Sequence, residues 1–84
     1  MDELARLKWQ CRRGTKELGF LLNRYLETGY LVADQGERGL FVELLGMEDD
    51  MLVGVLMGDL VVAGGMGVLV GKIRAFAVAG VNEL

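Results

Sequence analysis

Histidine and proline are absent from this chain and cysteine occurs once. Without histidine there is no imidazole general base, no serine or cysteine triad of the usual kind, and none of the common zinc sites. The single thiol, Cys11, cannot close an intrachain disulfide. The acids form no recognisable carboxylate motif either. Glu17 and Glu43 stand apart, and Glu48-Asp49-Asp50 reads as a run at a helix start, where negative charge meets the positive end of the helix dipole. The expectation is a protein with no catalytic residues and no metal. The missing prolines, together with 52 % hydrophobic and 25 % charged residues, exclude a proline-rich, collagen-like or disordered chain.

Eighty-four residues leave room for one core, so residues 1–84 read as a single domain. Its net charge of −3 is unevenly placed. Arg6, Lys8, Arg12, Arg13, Lys16 and Arg24 oppose only Asp2, Glu3, Glu17 and Glu27 in the first 30 residues, whereas the remainder holds three basic residues against eight acids. A mildly basic third on an acidic protein is a poor match for a phosphate backbone, and no nucleic acid is expected as a partner. An acidic patch on another protein suits it better. The start of the sequence has acids and no apolar signal-like run, which points to a cytoplasmic location.

The periodicity is helical. Leu4, Leu7 and Cys11 share one face of a first helix running to about Arg12. Gly14 interrupts it, and Thr15 is placed to cap the next. From Lys16 to Thr28, Leu18, Leu21, Leu22, Tyr25 and Leu26 trace an amphipathic stripe that Gly29 ends. Asp34 with Glu37 makes a capping-box-like start for a third helix burying Leu40, Phe41, Leu44 and Leu45. Asp49 or Asp50 is placed to cap a fourth through Leu52 and Leu56, closed by Gly58. The glycine-rich stretch from about Val61 to Ala79 reads as a fifth helix. A hairpin of Leu60–Ala63 with Val68–Val70 is the alternative, so residues 60–84 stay open. The fold class is all-α: a small five-helix bundle, up-and-down, with short corners.

The first corner carries the notable residues. Arginine presents a planar fork of donors, a neighbouring glutamate can hold it, and glycine lets another backbone approach. On these grounds Arg12, Arg13, Gly14 and Glu17 form either a docking corner or a plain local ion pair between Arg13 and Glu17. The wider string Trp9-Gln10-Cys11-Arg12-Arg13-Gly14-Thr15-Lys16-Glu17-Leu18 adds more. With its Arg-Gly-x-x-Glu core, the leucine-rich helix after it, and Phe41-x-x-Leu44-Leu45 and Glu48-Asp49-Asp50-x-Leu52 later, it resembles the succinate dehydrogenase assembly factors that promote covalent flavinylation. The resemblance covers residues 4–58. It departs at Gly19, where relatives usually have aspartate, and at Val55, where they have tryptophan.

The resemblance implies a chaperone-like factor that binds the flavoprotein subunit of succinate dehydrogenase, or of fumarate reductase, and favours linkage of FAD to a histidine of that client. FAD would belong to the client, and the factor would have no cofactor of its own. Gly14 would permit close approach, Arg13 and Glu17 would make polar contacts, and Arg12 and Lys16 would steer by charge. Trp9 and Tyr25 would be aromatic anchors or core residues. Two alternatives stand beside this reading. One is an antitoxin-like binding module using the same surface. The other is membrane association through residues 51–73, which contain Gly54-x-x-x-Gly58 and Gly67-x-x-x-Gly71 but also Asp59; no stable insertion is expected.

Overall fold

The amphipathic stripe of the second helix organises the chain, because its apolar side needs neighbours on several sides at once. A computed structural model describes the backbone of residues 2–82 and the side chains through residue 76; Met1, Glu83 and Leu84 lie outside the described residues. The helices are α1 (Glu3–Gln10), α2 (Lys16–Glu27), α3 (Gly29–Val32), α4 (Gln35–Leu45), α5 (Asp49–Leu56) and α6 (Gly64–Asn82). With α3 a single turn, this is the expected set of five helices, and no strand occurs among the described residues. α2 packs against α1, α3, α5 and α6, and α6 also lies against α4. Leu18, Leu22, Tyr25 and Leu26 of α2 meet Phe41, Leu44, Leu52, Val55, Leu69 and Ile73 in one continuous core.

Local signals account for most boundaries. Asp2 caps α1 by accepting from the Ala5 amide at 2.7 Å, and Asp34 caps α4 by accepting from Glu37 at 2.8 Å. The capping box is only half built, since the Glu37 carboxylate turns away to the Tyr25 hydroxyl and to Lys72 Nζ, the latter at 2.6 Å. The single turn α3 leads from α2 into α4. It persists because Arg38 donates to the carbonyls of Tyr30 (3.0 Å) and Leu31 (3.1 Å), satisfying groups a short helix leaves free. The Tyr30 hydroxyl in turn donates to Glu3 at 3.1 Å, fastening α3 to α1.

The structure overturns one alternative reading of the second half and interrupts the span behind the other. Leu60–Ala63 is an irregular connection and Val68–Val70 lies within α6, so the hairpin does not form. Leu69, Val70 and Ile73 recur at helical spacing and all are buried, which a strand's alternation would not achieve. The span 51–73 is likewise broken between α5 and α6. Among the described residues no helix is long and apolar enough to cross a membrane. Gly54, half of a possible membrane-helix contact motif, serves a turn within the chain. Leu60 donates its amide to the Gly54 carbonyl at 3.0 Å and lays its side chain where a Cβ would stand, 2.5 Å from Leu60 Cδ1.

Gly29 is needed for a different reason. A Cβ there would fall 2.6 Å from the Tyr25 ring and 2.7 Å from that of Phe76, inside the packed aromatic group. Gly29→Ala is therefore expected to cost about 1–3 kcal/mol through overpacking, lowering the melting temperature by roughly 4–8 °C per kcal/mol. The Glu37 carboxylate gives a pH signature. The hydrogen bonds from Lys72 and Tyr25 hold its pKa below the usual carboxylate value. Its contribution is thus complete above the unfolded pKa, near ~4.3, and is lost as pH falls through the folded value. In thermal melts across the acid range, Glu37→Gln should lower stability by about 1–2 kcal/mol at neutral pH and lose less than the wild type on acidification.

Candidate functional site

α1 ends at Cys11, whose amide reaches the carbonyls of Leu7 (3.0 Å) and Lys8 (3.2 Å), and Arg12 follows with a bond to Trp9 at 3.1 Å. The chain then leaves helical geometry until Lys16. The corner is not made by local devices. Thr15 stands at the N-cap of α2 in an extended conformation, but its side chain accepts no capping hydrogen bond. Gly14 does not use positive φ, which among the described residues occurs only at Gly64.

Long-range contacts hold the corner instead. Arg13 Nη2 donates to the Leu45 carbonyl, Arg13 Nη1 approaches Asp49 Oδ1 at 3.4 Å, and the Gly14 amide donates to Asp49 Oδ2 at 3.1 Å. The arginine fork suits this double task, one arm on a carbonyl and the other on a carboxylate. The local Arg13–Glu17 ion pair does not form. Arg13 is turned inward, with its side chain only 15 % exposed, and its buried Nε has no hydrogen-bond partner. Glu17 is exposed and makes no ion pair or hydrogen bond among the described residues.

The other site residues divide cleanly. Arg12, Gly14, Lys16 and Glu17 are exposed around the corner. Trp9 is 66 % exposed, with the Arg12 guanidinium 5.1 Å from its ring centroid. These two border a groove of about 470 Å³ that also meets Lys8, Asn23 and Glu27. Tyr25 belongs elsewhere: it is fully buried, its ring 4.8 Å from that of Phe41 and its hydroxyl bonded to Glu37, so it cannot be a surface anchor. Burial pushes its hydroxyl pKa up, and the bond to Glu37 adds to the rise. The helical stripe had placed Tyr25 on the apolar face, and that pattern was the better guide to it.

Asp49 and the Leu45 carbonyl complete the site, and sequence reasoning missed both. The acidic run was read as capping, but Glu48 occupies the N-cap of α5, Asp49 turns across to the corner, and Asp50 accepts from the adjacent Met51 amide at 2.9 Å. Residues paired 35 positions apart leave no local signature. Gly14 has the opposite character to Gly29. A Cβ there would meet only Asp49 Oδ2, at an ordinary 3.6 Å, so the protein's own packing has room for a side chain.

Among the described residues no group of His, Cys, Asp and Glu is placed to hold a metal ion. Cys11 is fully buried, and burial pushes its thiol up to about 11, against a smaller opposing pull from Arg13. At pH 8 about one thiol in a thousand is then ionised. Alkylation by iodoacetamide, followed by mass spectrometry, should accordingly be at least about a hundredfold slower in the folded protein than after denaturation.

Comparison with known proteins places this geometry in context. The family model described as flavinator of succinate dehydrogenase matches residues 5–77. The chain is 46 % identical over 56 residues to the FAD assembly factor SdhE of Xylella fastidiosa (strain 9a5c), a match covering 67 % of this chain and 58 % of that protein. It is 41 % identical over 58 residues to the FAD assembly factor SdhE of Methylococcus capsulatus, covering 69 % and 70 % of the two chains. With that of Coxiella burnetii the identity is 36 % over 53 residues, covering 63 % and 65 %. The chain thus spans less than two thirds of the length of the Xylella relative. No solved structure matches. With the family model extending from α1 into α6, this chain belongs to the family of flavinators of succinate dehydrogenase.

Proposed function

We propose that this protein is a non-catalytic assembly factor that binds the flavoprotein subunit of succinate dehydrogenase, or of fumarate reductase, in the cytoplasm and promotes covalent attachment of FAD. The reading draws on the family and on relatives named FAD assembly factors. One structural observation carries it. Gly14 is exposed at the corner of the Arg-Gly-x-x-Glu motif, and neither its backbone angles nor its internal packing require a glycine. A bare backbone at such a place is useful to a surface arriving from outside.

The surrounding charges fit the same task. Arg12 and Lys16 supply long-range attraction for an acidic client surface, and Glu17 offers an acceptor for client amides. Trp9, with its ring exposed and its position steadied by Arg12, is a rigid anchor of the kind that concentrates binding energy. Arg13 acts behind these groups, shaping the corner from inside. FAD is the client's cofactor, and the linkage chemistry lies between flavin and client; this chain binds the client in a conformation that favours it.

Co-expression of the flavoprotein subunit with each variant tests the proposal. Gly14→Arg should weaken client binding at least about thirtyfold, the loss expected at an interface hot spot, and Glu17→Ala about tenfold. Covalent flavin, read as fluorescence of the denatured subunit in a gel, should fall with both. Unchanged flavin content and unchanged binding in both variants would overturn the proposal.

A further inference from the structure

The structure assigns Asp49 the part of a positioning residue for the docking corner, a role that rests on the docking reading of Gly14 and Glu17 given above. One carboxylate serves the two adjacent motif residues at once, with Oδ1 facing Arg13 Nη1 at 3.4 Å and Oδ2 accepting the Gly14 amide at 3.1 Å. Asp49 belongs to the first turn of α5, far from the corner in sequence, so this contact is made only when α5 is in place.

Three observations separate this part from a merely local one. Asp49 does not cap its own helix: the N-cap of α5 is Glu48, and the Leu52 amide reaches the Glu48 carbonyl at 3.0 Å. The corner has no side-chain cap of its own at Thr15. And Arg13, held by Asp49 on one arm, is held on the other by the Leu45 carbonyl at the end of α4, so the α1–α2 corner is tied to the α4–α5 corner at two points. An exposed connection fixed in this way loses less freedom when a partner arrives, and prior fixing raises affinity without adding a contact.

The proposal also specifies what Arg13 does. Its inward fork cannot meet a client carboxylate while it spans Leu45 and Asp49, so the client-facing charges are Arg12, Lys16 and Glu17. A lysine at position 13 carries a single ammonium and cannot hold both partners in the same plane.

The test is a double-mutant cycle on binding to the purified flavoprotein subunit, using Arg13→Ala, Asp49→Ala and the pair, with melting temperatures measured alongside. Asp49→Ala should lower affinity about tenfold, and the double variant should bind no more weakly than the worse single variant. The milder Asp49→Asn keeps the side chain's shape and one acceptor oxygen, and should fall between wild type and Asp49→Ala. Amide exchange gives a readout without client: the Gly14 amide should exchange at least about tenfold faster in Asp49→Ala, with Asp49→Asn between it and the wild type and core amides of α2 unchanged in both. If the wild type binds and both Asp49 variants bind equally well, or if the two single losses simply add, the positioning role is overturned. If affinity falls only in proportion to a general loss of melting temperature and core protection, Asp49 is structural and the inference is also overturned. If the wild type itself does not bind, the docking reading fails, and the Asp49 role falls with it.

Discussion

Burial of the apolar side of α2 is the constraint on which the rest of the fold depends. A helix of 12 residues has little stability alone, and most of its stability must come from what covers it. Here Leu18, Leu22, Tyr25 and Leu26 are covered by α1, α3, α5 and α6, and α4 joins through the contact of Phe41 with Tyr25. The same burial places the start of α2 beside the start of α5, which brings Arg13 and Gly14 within reach of Asp49. Core and corner are therefore one arrangement.

Polar groups are used to fasten elements that the hydrophobic contacts leave loosely specified. Glu37 joins α4 to α2 through Tyr25 and to α6 through Lys72. Arg38 secures the single turn α3, and Asp49 secures the first corner. The last of these has a different result from the others. It stabilises a stretch that remains exposed, and leaves Gly14 bare with Glu17 unengaged beside it. A bare, unengaged set of groups on a fixed stretch is what the proposed docking role requires.

Much of the fold was legible because its signals are local. The stripe from Leu18 to Leu26 has one face at a 3.6-residue period, and Asp34 with Glu37 marks a helix start by the reach of a short carboxylate to a nearby amide. The errors lie where contacts cross the chain. Thr15 has a capping residue's position without the bond, because the corner's geometry is set by Asp49. Trp9 and Tyr25 looked equally able to serve as anchors, yet one is largely exposed and the other has no exposed surface. The glycine-rich tail gave no decisive period, and its helix is defined by Leu69, Val70 and Ile73 finding the core.

By itself, the sequence determined the helical character up to Gly58, the places of those helices and the candidate corner, since periodicity, caps and a short motif are written in neighbouring residues. Its composition also shows no histidine and a single cysteine, so these 84 residues close no disulfide among themselves. Only the tertiary structure decided how the corner is built: Arg13 faces inward, Gly14 lies open, and Asp49 of a distant helix holds them both. The physical reason is that a hydrogen bond depends on distance in space, and residues 35 positions apart acquire that distance only when the helices between them have packed.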